Sequence, residues 1–443
     1  MNFAARASGH AASELAPAWF YAIIPYRLSV GLTSTLLPLF VVQVVGGNVA
    51  DVGVVAALGP LVGVPAAIFW GNLSDRWRRR RPFLILGFLG YAVFTILLGL
   101  TDSVAEVILV SMAGALLSTA IEPVASALVV DQLPEEAWAE AFGRYNRIGG
   151  WSLVTGLGVG MLWLAVSSTW WGVAASMRGL FLFAGITAAL SLVLALRFLR
   201  EPAVVRGRRP FRRAFAGRLV VAVVERALHS PNRLLYHVLR PAFLSDLRSQ
   251  VEGSLGRYYL ATLFLFFAMA LGFVPFPIFL TDVLDATSTQ VFLVFLIKAA
   301  TDAVFYLPMG RVVRRRSGVE LLALASAVRV GILGAYALAA WLSPGPRGLI
   351  PVGLIYVLTG VTWAAIAVAG TTAVAVFAKK GLEGRAMGLY NAVLGLGWIS
   401  GSLAGGWCAA TFGYGASFGA AAVLMAMMAI WFWRLPMRMP SQT

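Results

Sequence analysis

Blocks of roughly 18 to 28 apolar residues recur along the whole 443-residue chain, and each is long enough to cross a ~30 Å hydrocarbon core as an α-helix. Hydrophobic residues make up 60% of the chain and charged residues 12%. A soluble core cannot hide that much apolar surface. The blocks are also too long for membrane β-strands, which alternate over about ten residues. The pattern predicts an all-α polytopic membrane protein with 12 transmembrane helices, at about 18–45, 50–71, 83–101, 106–130, 142–166, 178–198, 257–281, 287–309, 319–342, 348–377, 386–411 and 414–433.

The net charge of +16 would suggest nucleic acid on a soluble domain, so its distribution decides. With the N-terminus inside, the inner segments carry 30 of the 35 Lys and Arg residues, and the outer segments carry Arg178 and Arg347. That asymmetry predicts both termini on the cytoplasmic side and excludes nucleic acid as the reason for the charge. A prokaryotic cytoplasmic membrane is the expected location. The first 16 residues lack the parts of a signal peptide, so the first span is expected to direct insertion. A single cysteine, Cys408, leaves no intrachain disulfide and argues against a thiol-ligated metal.

The spans fall into two groups. Expected boundaries are 1–17 (cytoplasmic N-terminus), 18–198 (first six-helix bundle), 199–256 (cytoplasmic linker), 257–433 (second six-helix bundle) and 434–443 (cytoplasmic C-terminus). Within the linker, Arg233, His237 and Arg240 share one helical face while Leu234, Leu235, Val238 and Leu239 take the other. Such a helix suits the anionic headgroups of the inner leaflet. A cytosolic regulatory partner is the other reading of this segment. The protein is expected to be a monomer.

The halves repeat one another. Pro38–Phe40 recurs as Pro277–Phe279, and Gly71 as Gly310, both 239 residues on. "AFGRYNRIGG" recurs as "AMGLYNAVLG" 245 residues on. In that register Gly143, Tyr145, Asn146, Gly150, Gly156 and Gly160 match Gly388, Tyr390, Asn391, Gly395, Gly401 and Gly405. A unit with an even number of spans relates the halves by an axis along the membrane normal. The G-x-x-x-G spacings predict close helix packing.

"GNLSDRWRRRRP", Gly71 to Pro82, resembles the signature loop between spans two and three of the major facilitator superfamily, roughly G-x-L-a-D-R-x-G-R-R-x. Gly71, Leu73, Asp75 and Arg76 match it, while Arg78 replaces the later glycine. The second copy, Gly310 to Gly318, keeps basic residues but has no aspartate. The resemblance covers almost the whole chain. It implies a secondary transporter working by alternating access, with substrate near the midplane between the halves. It further implies that Asp75 and Arg76 form a gate bridging to the start of span eleven, around Glu383 and Arg385. The plainer reading of Arg78–Arg81 is that they fix topology alone.

Ionisable residues inside spans suggest function. Arg27 in span one and Glu122 in span four each lie about 14 Å from the inner end, at 1.5 Å per residue, so they are placed to pair. Pro123 is expected to loosen the helix beside Glu122. Lys298 and Asp302 share a face of span eight. Arg329 in span nine reaches a depth near Asp302, but the resemblance places span nine peripherally, which suggests a packing role. One reading makes these residues ion pairs that lock the bundle. The other gives Glu122 or Asp302 a transported proton, or an arginine or Lys298 an anionic substrate. Tyr145, Asn146, Tyr390 and Asn391 are further pathway candidates because they recur. Trp19, Tyr21, Tyr26, Trp151, Trp363 and Trp398 are possible site aromatics. His10, His229 and His237 all fall outside spans, so no histidine relay is expected.

No cofactor is expected, because the chain carries no phosphate loop, metal-ligand cluster or nucleophile constellation. An enzyme and an ATP-driven pump are both disfavoured. The expected function is proton-coupled export of a small organic solute. Uptake of an anionic metabolite or sugar is the alternative, and a non-transporting receptor or adaptor is the alternative of another class. "WSLVTGLGVGMLW" lacks the proline that drug–proton antiporters of the family often carry in span five, and "RFLREP" only faintly echoes a sugar-porter signature.

Overall fold

The computed structural model describes residues 17–77, 79–133, 135–199, 201, 253–313, 315–342, 345–377 and 383–435. The linker helix predicted around 233–240, the three histidines and Arg78 lie outside the described residues. The described chain forms fourteen α-helices: α1 (Ile23–Ser34), α2 (Leu36–Gln43), α3 (Val49–Trp77), α4 (Arg81–Leu98), α5 (Val104–Ser118), α6 (Ile121–Gln132), α7 (Glu135–Phe198), α8 (Ser254–Phe273), α9 (Phe276–Asp282), α10 (Ser288–Val313), α11 (Gly318–Leu342), α12 (Leu349–Phe377), α13 (Glu383–Phe412) and α14 (Tyr414–Arg434). Short 3₁₀ turns precede α1 and α12. In lipid every backbone polar group must be satisfied within its own segment, so long apolar blocks become helices. Eleven helical segments are long and apolar enough to cross a membrane.

Three of these segments are broken, and proline explains each break. Its ring strikes the carbonyl four residues back and removes one hydrogen bond. For Pro38 that residue is Ser34, where α1 ends. For Pro123 it is Thr119, the C-cap of α5, so the loosening expected beside Glu122 is a break between α5 and α6. For Pro277 it is Phe273, the last residue of α8. Pro60, Pro65 and Pro308 sit within continuous helices.

The 64-residue α7 is a hairpin rather than a rod. Gly172 adopts φ 77° and ψ 164°, a conformation that favours glycine. Trp163 and Phe183 would stand about 30 Å apart on a straight helix. Their rings instead stack at 5.4 Å, and Trp163 Nε1 donates to the Ser176 carbonyl at 3.0 Å. The helix runs well past residue 166, where the sequence suggested a loop, and reverses at this one glycine.

The repeat seen in the sequence is a repeat of contacts. A Cβ on Gly156 would collide with the Leu28 carbonyl, and one on Gly401 with the Phe267 carbonyl. Leu28 and Phe267 are themselves 239 residues apart. Tyr145 lies 6.3 Å from the ring of Trp19, and Tyr390 lies 6.3 Å from Tyr258, again 239 residues beyond Trp19. Helices α1 to α7 pack among themselves, as do α8 to α14.

The arginine-bearing loops lie at one end of the helices, here the basic end. The halves meet through α3 against α13, α7 against α10, and α2 against α9. The close approaches lie toward the opposite end. A Cβ on Gly53 would stand 2.6 Å from the Ser402 carbonyl and 2.9 Å from Gly406 Cα. One on Gly160 would stand 2.6 Å from Phe292. Ser288 Oγ donates to Gln43 Oε1 at 2.9 Å, joining the loops beyond. Toward the basic end, the matched Gly143 and Gly388 have open space where a Cβ would stand.

Candidate functional site

A cavity of about 430 Å³ lies between the halves. The first half contributes Ser34, Leu37, Pro38 and Val41 from the broken segment α1–α2, and Val52, Val55 and Ala56 from α3. The second contributes Phe273, Val274 and Pro277 around the break between α8 and α9, with Phe295, Tyr356, Trp363 and Trp398. Most of this wall is apolar. Its charged members are Lys298 and Arg329.

Lys298 Nζ donates to Asp302 Oδ2 at 2.6 Å and lies 5.6 Å from the centre of the Trp363 ring. Trp363 is fixed in turn by donating to Tyr306 Oη at 2.9 Å. Asp302 Oδ1 is buried without a hydrogen-bond partner and would sit 3.1 Å from a Cβ on Gly360. Arg329 is fully buried. Its Nε donates to Thr362 Oγ1 at 3.1 Å and its Nη2 to the Thr359 carbonyl at 3.4 Å. Its Nη1 is buried without a partner, and the guanidinium carbon lies 5.0 Å from the centre of the Phe273 ring. Arg329 thus reaches the cavity instead of only packing its span. Helix α11 itself packs chiefly on α12 and α14 of its own half, and a helix apolar all round does not declare that its one charge is turned inward.

Arg27 and Glu122 meet, with Nη2 donating to Oε1 at 2.5 Å. Tyr145 Oη donates to Glu122 Oε2 at 3.3 Å, and Gly149 leaves room for the Arg27 side chain. This cluster is more open, with 26% of the Arg27 and 46% of the Glu122 side chain exposed, and it does not line the cavity. Tyr145 and Tyr390 are buried in helix packing, while Asn146 and Asn391 are exposed, so the cavity wall holds none of these four. Of the possible site aromatics it holds Trp363 and Trp398.

At the basic end, Asp75 pairs with Arg80 of its own half at 2.5 Å. Arg80 also donates to Asp131 Oδ2 at 2.8 Å and to Ser74 Oγ at 2.8 Å. The backbone N–H groups of Arg80 and Arg81 donate to the Glu201 carboxylate at 3.1 and 3.0 Å, so a carboxylate caps the start of α4. Burial alone would lower the Arg80 pKa, but hydrogen bonds to Asp131 and Asp75 outweigh it and hold the guanidinium above its ordinary value. Arg80 therefore ties the ends of α3, α6 and α7 together, beyond the topology role expected of it. Gly71 faces Pro123 of α6, and Arg76 is exposed. The side chains of Glu383 and Arg385 lie outside the described residues. Cavity residues that the sequence did not flag include Phe273, Tyr356 and Thr359, which are apolar or weakly polar residues inside apolar blocks.

The sequence matches the model of the Major Facilitator Superfamily over residues 19–366 and again over 258–443. The chain belongs to that superfamily. A curated relative, Multidrug resistance protein MdtG of Enterobacter lignolyticus (strain SCF1), is 29% identical over 174 residues, which are 38% of this chain and 39% of the relative. Among solved structures, a POT family transporter in complex with a thioalcohol-conjugated peptide matches with a TM-score of 0.70 at 14% identity, over 93% of this chain and 94% of that one. The nucleoside transporter NupG matches with a TM-score of 0.67 at 13% identity, over 94% and 98%. A bacterial homolog of the human lysosomal transporter Spinster, inward-facing and unoccupied, matches with a TM-score of 0.67 at 13% identity, over 94% and 95%. At such identities the likeness is one of fold. The family and the apolar helices make this an integral, multi-pass membrane protein, and secondary transport of a small molecule is the activity they support.

Proposed function

We propose that this protein exports a small, largely apolar organic solute across a bacterial cytoplasmic membrane by alternating access, in exchange for protons. The observation that carries this reading is the apolar cavity between the halves, with Lys298 and Arg329 at its wall and Asp302 bonded to Lys298. Its size suits one small molecule. The close approaches beyond it, away from the basic end, fit a state closed outside and open inside. In this reading both arms of the α7 hairpin cross the membrane, giving twelve crossings with both termini in the cytoplasm, as the distribution of basic residues requires. The bundles are 18–198 and 257–433. The 199–256 linker lies against anionic headgroups, and the protein acts as a monomer. The name of the MdtG relative supports export of organic compounds.

Asp302 is the proposed proton carrier. Lys298 and Arg329 face it electrostatically, and Tyr306 and Tyr356 lie close enough to feel its charge. Protonation would release Lys298, and deprotonation would recapture it. Glu122, paired with Arg27 and Tyr145, is the second candidate for this role. Gly71, Asp75 and Arg76 form the proposed gate with the start of α13, and Asp75 exchanges Arg80 for that partner when the basic end closes. Flux in proteoliposomes under an imposed pH gradient tests the coupling. A flux indifferent to the gradient would remove the proton from the mechanism.

A further inference from the structure

We infer that the cargo is an organic anion, its acid group held between Lys298 and Arg329 and its apolar body lying against Phe273, Tyr356, Trp363 and Trp398. This deepens the transport reading and rests on it. The first support is an unfilled donor. Arg329 is 0% exposed, yet its Nη1 has no partner while Nε and Nη2 are both engaged. A guanidinium presents a planar fork matched to a carboxylate or similar oxyanion, and a buried donor left unmade is costly.

The second support is charge. Lys298 and Arg329 bring two positive charges to the wall, and Asp302, hydrogen-bonded to Lys298, supplies one negative charge beside it. These three groups leave one positive charge uncompensated among themselves in an apolar enclosure, which is expensive to bury. A bound monoanion neutralises it. Lys298 has one ammonium hydrogen committed to Asp302, so further donors remain for an acid group.

The third support is that the scaffold does not need these charges. In the 239-residue register Lys298 and Asp302 fall opposite Gly59 and Gly63, so the same backbone is built in the first half without them. The wall around the two cations is aromatic and aliphatic, which selects an anion with an apolar body over a small hydrophilic one. Exchange of one such anion outward for one proton inward would move two charges in the direction favoured by an inside-negative potential, each contributing about 2.3 kcal/mol per 100 mV.

The test uses the purified full chain and three carboxylates, benzoate, 1-naphthylacetate and decanoate, each beside its primary amide, with 1-naphthylmethylamine as the cation. Binding is read by thermal shift and by tryptophan fluorescence. At least one carboxylate should bind at least tenfold more tightly than its amide. Lys298→Gln and Arg329→Gln should each weaken it about thirty-fold or more, while Arg434→Gln, an exposed residue in the last turn of α14, should not change it. Melting without ligand reports folding. If Arg329→Gln fails to fold, Arg329→Lys keeps the charge, loses the fork and should weaken binding by a smaller factor. Equal affinity for acid and amide, unchanged affinity in both charge variants, or no binding by any carboxylate would overturn the assignment. Flux separates it from the transport reading. A carboxylate bound but never carried leaves the anion site standing and removes transport. Amide or amine carried without any carboxylate does the reverse.

Discussion

The two halves share a backbone plan but not their buried charges. In the first half, Arg27 and Glu122 form a neutral pair, joined by Tyr145 and partly open to solvent. In the second, Lys298, Asp302 and Arg329 carry a net positive charge and are more deeply enclosed, and the two cations border the cavity. The register that aligns Leu28 with Phe267 sets Arg27 opposite Phe266. Duplication therefore preserved what packs, and the chemistry diverged on top of it. Recurrence marks scaffold here, and a buried charge without a counterpart marks the more specialised surface.

That contrast can be broken most sharply by transport. Lys298→Gln should lower cargo flux in proteoliposomes about thirty-fold, and Arg27→Gln should lower it by a smaller factor. The reverse order would move the site into the first half. The next effect is on stability. Asp302→Asn leaves two cations without their carboxylate and should cost about 3 kcal/mol, read as a lowered melting temperature in detergent. The packing glycines should respond alike because their contacts are repeated. Gly156→Ala and Gly401→Ala should each cost about 2 kcal/mol from overpacking against a carbonyl. Unequal losses would show that the repeat is only approximate there. The smallest change belongs to Glu122→Gln, at about 1 kcal/mol or less, because the pair is half exposed. A loss matching that of Asp302→Asn would erase the distinction between the clusters.

Much of the fold was legible in the sequence because lipid permits so few solutions. Block lengths gave the helices, and Pro123 announced its break. The glycine spacings anticipated close packing, and pairing of Arg27 with Glu122 followed from their matched depths. The reversal at Gly172 was less legible, since the apolar pattern runs through it without a polar loop. Arg329 was misplaced for a related reason. Its helix is apolar on every face, against lipid on one side and protein on the other, so composition cannot say where its single charge points. Arg80 was hidden among neighbouring arginines of equal charge, and only geometry singles out the one that reaches Asp75, Asp131 and Ser74 together.

The breaks at Pro38 and Pro277 have a mechanical consequence. They detach α2 and α9, helices of 8 and 7 residues, from the long helices α1 and α8 that precede them. These two short pieces touch one another across the halves, and residues at both breaks line the cavity. The roof of the cavity is thus a pair of hinged leaves hung from otherwise stiff posts. Uncovering the chamber from that side needs these leaves to swing apart at Thr35 and Val274 while α3 parts from α13 and α7 from α10.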